Sequence, residues 1–499
     1  MNTTDYLLQN SQNHSVAIVT KEGAYTYGEV RQAASKLAGE LASLGIRPGD
    51  RVGLLSQNSL FWAAAYLAIL KIGAVAAPFS TLITVEDLQR NAEFVGCKAV
   101  FFETRQQRKF SEAFTHRLPL IFDRILDQPG PVVWPESPTN FDLDQDAALM
   151  FTSGTTARPR AVRVTHRNIQ ANTNSIIEYL KLDNSERILV ILPFYYCFGT
   201  SLLHTHLRVG GSMALCNTFT FPETALDLME SAECTGFAGV PSSFQLLLRN
   251  STFPRRPTPT LRKIQQAGGK LHNVLIQELV TAKPQAKVYV MYGQTEATAR
   301  LSFLAPEMLP TKLGSIGKGI PNVDLRVIGE DSNPVKPGEV GEIIARGDNI
   351  SPGYLNDPEA SADKFVDGAL HTGDLATVDE DGYIFVVDRI ADFIKSWGYR
   401  VSSQEVESCV LQLDEIVSAA AVGVPDLAAG EAIHVFVILR AKSEITPDTI
   451  IAHCRKKLAK HMVPEVVTVI KSLPLNPHGK VIKSELRKMA LNNINNPAR

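Results

Sequence analysis

Ten residues, Thr152-Ser153-Gly154-Thr155-Thr156-Ala157-Arg158-Pro159-Arg160-Ala161, set hydroxyls, backbone-permissive positions and two cations side by side. Such a stretch suits a triphosphate: successive N–H groups and hydroxyls can wrap phosphate oxygens, while Arg158 and Arg160 offset charge that a neutral loop could not hold. It is not a P-loop of the GxxxxGK[ST] kind, because Pro159 and Arg160 stand where Gly-Lys would be required. A solvated polar turn is the competing account of any Ser/Thr/Gly-rich stretch. The choice between them rests on what lies downstream.

Four further clusters follow: Tyr292-Gly293-Gln294-Thr295-Glu296, Thr372-Gly373-Asp374, Asp388-Arg389 and Pro474-Leu475-Asn476-Pro477-His478-Gly479-Lys480. In order and spacing, over essentially the whole chain, the five resemble the adenylate-forming superfamily of acyl-CoA synthetases, nonribosomal adenylation domains and beetle luciferases. The type is closest to the acyl-CoA synthetases. The resemblance implies an ATP-dependent, AMP-forming ligase that makes an acyl-adenylate with loss of pyrophosphate and passes the acyl group to coenzyme A. A carrier-protein phosphopantetheine or an amine stays open as acceptor, as does a chain that has lost catalysis and senses nucleotide or acyl-adenylate.

The same resemblance assigns roles. Thr152, Ser153, Gly154, Thr155, Thr156, Arg158 and Arg160 would hold phosphates, and Tyr292, Gly293 and Gln294 would border the adenine. Thr295 would reach a phosphate with its hydroxyl, and Glu296 would bind Mg²⁺, which is commonly held by one or two carboxylates plus phosphates and water. Asp374 would accept from both ribose hydroxyls, with Arg389 beside it, and Lys480 would neutralise charge developing between the acid and the α-phosphate. After adenylation a small C-terminal domain would rotate, withdrawing Lys480 and bringing Lys395 and Gly398 to a thiol tunnel about a hinge at Ala391. The bland alternatives are a solvated Glu296, an Asx-turn Asp374, a boundary Arg389 and a solvated C-terminal Lys480.

Some positions depart from the superfamily's usual pattern. Ala157 and Ala161 replace common glycines, and a positive φ at either would cost about 1 kcal/mol or more. Arg158 and Arg160 replace common lysines with a planar fork. Tyr196 stands where many acyl-CoA synthetases carry histidine. Gly199 stands where amino-acid-activating relatives carry an aspartate, which disfavours an α-amino acid. The expected acid pocket, Tyr196, Phe237, Val240, Ala267, Gly268 and Gly269, is small and apolar and suits an aliphatic or aromatic tail, as in fatty or aromatic acid metabolism. Core packing accounts for these residues nearly as well.

The elements that must position these groups follow from periodicity. At 499 residues the chain exceeds one core, and 44% hydrophobic with 20% charged residues describes a globular protein. Helical spacing at 27–44, 60–71, 85–95 and 201–209 alternates with strand-like runs at 52–55, 75–78, 99–102, 187–192 and 212–215. This predicts an α/β fold: two largely parallel sheet subdomains, then a small β subdomain from the runs 324–328 and 342–345. Strands at 417–424, 434–439 and 465–470 with a helix at 447–457, capped by Thr446, predict a small mobile α+β domain. The expected division is 1–388 for the large adenylating domain and 389–499 for the small one.

The net charge of −2 gives no electrostatic reason for nucleic acid, and the 60–79 stretch, broken by Lys71, Gly73 and Pro78, reads as helix, turn and strand, so no transmembrane segment is expected. Six cysteines without CxxC spacing and an N-terminus without a signal pattern point to the cytoplasm. A monomer and a homodimer are both compatible with the sequence.

Overall fold

The computed structural model describes the chain apart from residues 111–112, 115–117, 129–133, 137–139, 153–159, 390–392, 427, 477–478 and 496–499 and the side chains of 389 and 493–495. Local sequence signals set the elements where they were expected. The helix Leu60–Lys71 is apolar on every side and is buried almost throughout; Ser59 accepts from the Trp62 N–H at its start. Thr84 caps Val85–Val95, and Gly96 closes it at φ 67°. Each such cap contributes roughly 1 kcal/mol.

These elements build two α/β sheets. A six-stranded sheet runs Leu120–Phe122, Cys97–Phe102, Arg51–Leu55, Val75–Pro78, Asp146–Phe151, Ala161–Thr165, parallel except for its last pair. A nine-stranded sheet has Lys287–Tyr292, Lys263–Gln266, Gly236–Gly239, Arg187–Val190 and Ser212–Leu215 as its parallel centre. The strand Val16–Val19 extends this second sheet, pairing Ile18 with Met213, so the N-terminal segment stitches the halves together. A five-stranded antiparallel sheet follows, with Gly341–Arg346 and Ala369–Val378 at its centre and Ile384–Arg389 paired to the latter.

The C-terminal unit is a sheet centred on the long antiparallel pair Ile416–Asp426 and Gly430–Leu439. Helices Ser403–Val410 and Pro447–Lys457 share one apolar cluster with it, and Leu486 and Ala490 of Lys483–Asn495 join Val422, Val424 and Phe436 in another. Among the described residues no helix is long and apolar enough to cross a membrane.

Two elements differ from expectation near the cleft. The run 187–192 leaves the sheet at Val190, because the Leu192 carbonyl turns to accept from the Asn58 amide at 2.9 Å. The helix expected at 201–209 begins at Cys197, where the Thr200 N–H reaches the Tyr196 carbonyl at 2.9 Å. That earlier start puts Cys197 and Phe198 in the first helical turn.

Candidate active site

The Ser/Thr/Gly-rich segment is flanked by two paired strands. Phe151 pairs with Ala161, and the Thr152 N–H donates to the Arg160 carbonyl at 2.9 Å, closing its base. Ser153, Gly154, Thr155, Thr156, Ala157 and Arg158 lie outside the described residues. Ala161 is extended strand, fully buried, and its carbonyl accepts from Leu355 N–H at 2.8 Å, so the strain a positive φ would bring does not arise there.

Arg160 pairs with Asp357 at 3.1 Å and lies 5.2 Å from the Tyr354 ring centroid. The Tyr354 hydroxyl donates to Glu296 Oε1 at 2.8 Å. Burial and the Glu296 charge push the Tyr354 phenol up, keeping it a donor. The hairpin is thereby linked through Tyr354 to the buried turn Thr295–Ala297. Nothing local in the sequence marks Tyr354, which lies 58 residues from its partner.

Tyr292 ends a central strand, and a Cβ on Gly293 would fall 1.9 Å from the Ala299 carbonyl oxygen. Only glycine permits this return of the chain. The Tyr292 hydroxyl donates to Asp374 Oδ2 at 2.5 Å, and Asp374 is 5% exposed. Asp374 faces Arg389 in the ladder; the Arg389 side chain lies outside the described residues. Gln294 follows Gly293, and its Nε2 is buried with no partner among the described residues.

Lys480 reaches this group from the other end of the chain. Its loop is fixed by Lys480 N–H to Asn476 Oδ1 at 3.0 Å and Asn476 N–H to the Lys480 carbonyl at 2.8 Å. Ser242 Oγ donates to the Gly479 carbonyl at 3.0 Å. Lys480 and Gly479 thus line, with Gly268, Tyr292, Gly293 and Asp374, a cleft of about 620 Å³. The Cys197 thiol, 3.5 Å from Thr295 Oγ1, senses the same centre. Burial pushes it up, against the pull of Thr295 and of the Arg300 and Lys480 charges.

Polar struts hold the C-terminal unit in place. Arg249 donates to the Ile416 carbonyl at 2.6 Å while pairing with Glu278; His272 Nδ1 meets Ser408 Oγ at 2.6 Å; Ser418 donates to Gln245 at 3.0 Å. Burial holds His272 near 3, hence neutral. Asp388 is fully buried and accepts from Ser403 N–H and Oγ, each at 3.0 Å, at the start of Ser403–Val410.

The expected acid wall divides. Val240 Cγ1 and the Tyr196 hydroxyl lie 2.8 and 3.2 Å from where a Gly268 Cβ would sit, and Gly268 has φ +87°. Tyr196, Val240, Ala267 and Gly268 therefore converge, and Gly269 lines the cleft beside them. Phe237 does not: its ring packs edge-on to Phe244 at 5.6 Å in the core, because strand alternation turns it to the other face. At Gly199 a Cβ would meet the Pro193 oxygen at 2.0 Å, so no side chain fits there. Lys395 and Gly398 flank an exposed turn of the C-terminal unit and do not line the cleft; Ala391 lies outside the described residues.

Comparison with known proteins places this arrangement. Residues 8–355 match the AMP-binding enzyme family and 405–480 its C-terminal domain. The chain is 31% identical over 482 residues to a feruloyl-CoA synthase of Amycolatopsis, covering 95% of this chain and 96% of that one. It is 29% identical over 484 residues to the 2-succinylbenzoate–CoA ligase of Geobacillus, covering 96% of each. The o-succinylbenzoate CoA synthetase of Bacillus subtilis, solved with its acyl-adenylate, superposes with a TM-score of 0.85 at 26% identity, over 97% of this chain and 98% of the other. The fold is that of the adenylate-forming enzymes. The chain belongs to the AMP-binding enzyme family and carries both of its parts.

Proposed function

We propose that this protein, an ATP-dependent AMP-forming acid–CoA ligase, activates an aromatic carboxylic acid and transfers it to coenzyme A using the residues gathered in the cleft. The observation that carries the assignment of roles is the delivery of Lys480 to Tyr292 and Asp374 by the docked C-terminal loop. Joining a carboxylate to a thiol is uphill in water, and the adenylate splits it into two accessible displacements. Positioning and charge stabilisation supply most of the rate in such nucleotidyl transfers.

In this reading the 152–160 hairpin holds the triphosphate, Asp374 accepts from the ribose and Tyr292 packs the base while fixing Asp374. Glu296, oriented by Tyr354 with Thr295 beside it, fits the single protein carboxylate of a Mg²⁺ site. Bound there, Mg²⁺ would neutralise phosphate charge. Lys480 stabilises charge where the acid's oxygen meets the α-phosphate, and the wall of Tyr196, Val240, Ala267 and Gly268 receives the tail.

The chain divides at 388/389, with Asp388 holding the first helix of the C-terminal unit, and that unit swings once the adenylate has formed. The swing carries Lys395 and Gly398 toward the thiol. All six cysteines are free thiols, which fits the reducing cytoplasm. The test is AMP release from ATP with a panel of aromatic and aliphatic acids, offered coenzyme A, a carrier protein or simple amines. Acyl-CoA from an aromatic acid is expected. AMP release indifferent to coenzyme A would overturn the assignment.

A further inference from the structure

Arg300 is among the largest side chains that the fold encloses fully, at 2% exposure. Arginine at such depth is costly unless an anion meets it. The comparison inside this chain is Arg249, whose side chain is fully buried and which is paired with Glu278. Arg300 forms no ion pair among the described residues. Its Nη1 reaches the carbonyl of the preceding Ala299 at 3.5 Å, its guanidinium also meets the Tyr179 hydroxyl, and its Nε is buried with no partner among the described residues.

The guanidinium lies 3.9 Å from the centroid of Phe198, which carries no charge to balance it. Tyr179 accepts from Arg300 and directs its own hydroxyl hydrogen to Met291 Sδ at 3.0 Å; burial pushes that phenol up to about 12, so it stays neutral and supplies no counter-charge. Leucine or methionine would fill the same space without the desolvation cost.

The position is fixed as well as buried. Thr298 and Ala299 both hold positive φ, 59° and 129°, and bring the chain back over Gly293. The Arg300 carbonyl accepts from two asparagine amides, Asn172 at 3.1 Å and Asn349 at 2.9 Å. Arg300 follows Glu296 by four residues, and Phe198 follows Tyr196 by two. The thiol of Cys197, between Tyr196 and Phe198, lies within the field of Arg300, Lys480 and Glu296 together. The guanidinium is thus a rigid cation stacked on Phe198, whose ring lies 6.5 Å from that of Tyr196 in the expected wall of the acid pocket.

We propose that Arg300 determines acid specificity: its guanidinium pairs with a second carboxylate on the tail of the acid, so the preferred substrate is a dicarboxylic acid. One carboxylate is activated at Lys480 and the other is held against Arg300, with the body of the acid along Phe198. This rests on the acid–CoA ligase assignment above and narrows its aromatic acid to one bearing a second anionic group. A planar fork matches a carboxylate with two parallel hydrogen bonds, and a site built to pair with a substrate group rejects the analogue lacking it strongly.

The test uses the full chain with ATP, Mg²⁺ and coenzyme A on matched pairs: benzoate against its ring dicarboxylates, cinnamate against 4-carboxycinnamate, and hexanoate against adipate. AMP formation is read as kcat/KM. At least one diacid is expected to exceed its monoacid by on the order of a hundredfold. Arg300→Gln should erase that preference by lowering kcat/KM for the diacid far more than for the monoacid, and Arg300→Lys should retain part of it. Monoacids matching or exceeding their diacids in every pair would overturn the inference while leaving the ligase assignment standing, as would equal losses on both acids in Arg300→Gln. Should Arg300→Gln fail to fold, the wild-type ratios and the Lys variant decide. No AMP from any acid would instead overturn the ligase assignment.

Discussion

Arg249 is the sharpest place to separate the two half-reactions. Its guanidinium, on the helix Pro241–Asn250, donates 2.6 Å to the Ile416 carbonyl and more weakly, at 3.5 Å, to that of Leu413, both in the C-terminal unit. Arg249→Met keeps much of the apolar stem and removes this charged donor. A hydrogen bond to a charged group contributes about 1.5–3 kcal/mol, and the Ile416 carbonyl would be left without it. The loss falls on the docked orientation alone, so the docked fraction should drop roughly 10- to 100-fold where docked and swung forms are comparable. Single-turnover pyrophosphate release should slow by that factor, while coenzyme A attack on preformed acyl-adenylate should change less than about twofold. Because Arg249 also pairs with Glu278, Glu278→Gln serves as the control that disturbs the pair without removing the donor to Ile416. Equal slowing of both half-reactions, at unchanged melting temperature, would refute the strut.

Other outcomes follow from the same geometry. Tyr354→Phe removes the 2.8 Å bond to Glu296 and should raise the Mg²⁺ concentration for half-maximal rate roughly 10-fold at little cost in stability; an unchanged Mg²⁺ titration would detach Tyr354 from the metal. Gly293→Ala drives a Cβ to 1.9 Å from a backbone oxygen and should abolish soluble, ATP-binding protein, as judged by expression and nucleotide titration. His166 and His206 titrate near 4 and His204 and His272 near 3, all lowered chiefly by burial. Each lowered base stabilises the fold fully above the unfolded value of about 6.5 and loses that contribution as pH falls toward its folded value, by up to about 1.4 kcal/mol per pH unit. Thermal melting should therefore decline steadily from pH 6.5 to 4.5, and a flat profile would contradict the neutral histidines.

Local signals carried far into this chain. The helices Leu60–Lys71, Val85–Val95 and Pro447–Lys457 start and stop where caps and periodicity put them, because each is decided within a few residues. The grouping of Lys480, Asp374 and Glu296 was legible only as a pattern of motifs, and the fold brings Lys480 and Asp374 to one cleft, with Glu296 close by in the field of the Cys197 thiol. What the sequence hid is non-local. The pairing of Val16–Val19 with Ser212–Leu215 spans nearly two hundred residues and has no local marker. Phe237 read as pocket wall because its neighbours are small and apolar, yet strand alternation sends it to the core. Gly199 read as a missing aspartate, whereas the structure shows backbone packed against it too closely for any side chain. Nothing in the sequence singles out Arg300; it stands out only by being buried without an ion-pair partner among the described residues.

The central claim is that a cation delivered by the docked C-terminal loop performs adenylation and then leaves. Lys480→Ala, assayed for acid-dependent exchange of pyrophosphate into ATP and separately for thioester formation from supplied acyl-adenylate, tests it most directly. Exchange should fall by on the order of 100-fold or more, as for loss of a preorganised charge at a transition state, with thioester formation retained. Exchange at the wild-type rate, or equal loss of both activities in a folded protein, would contradict it.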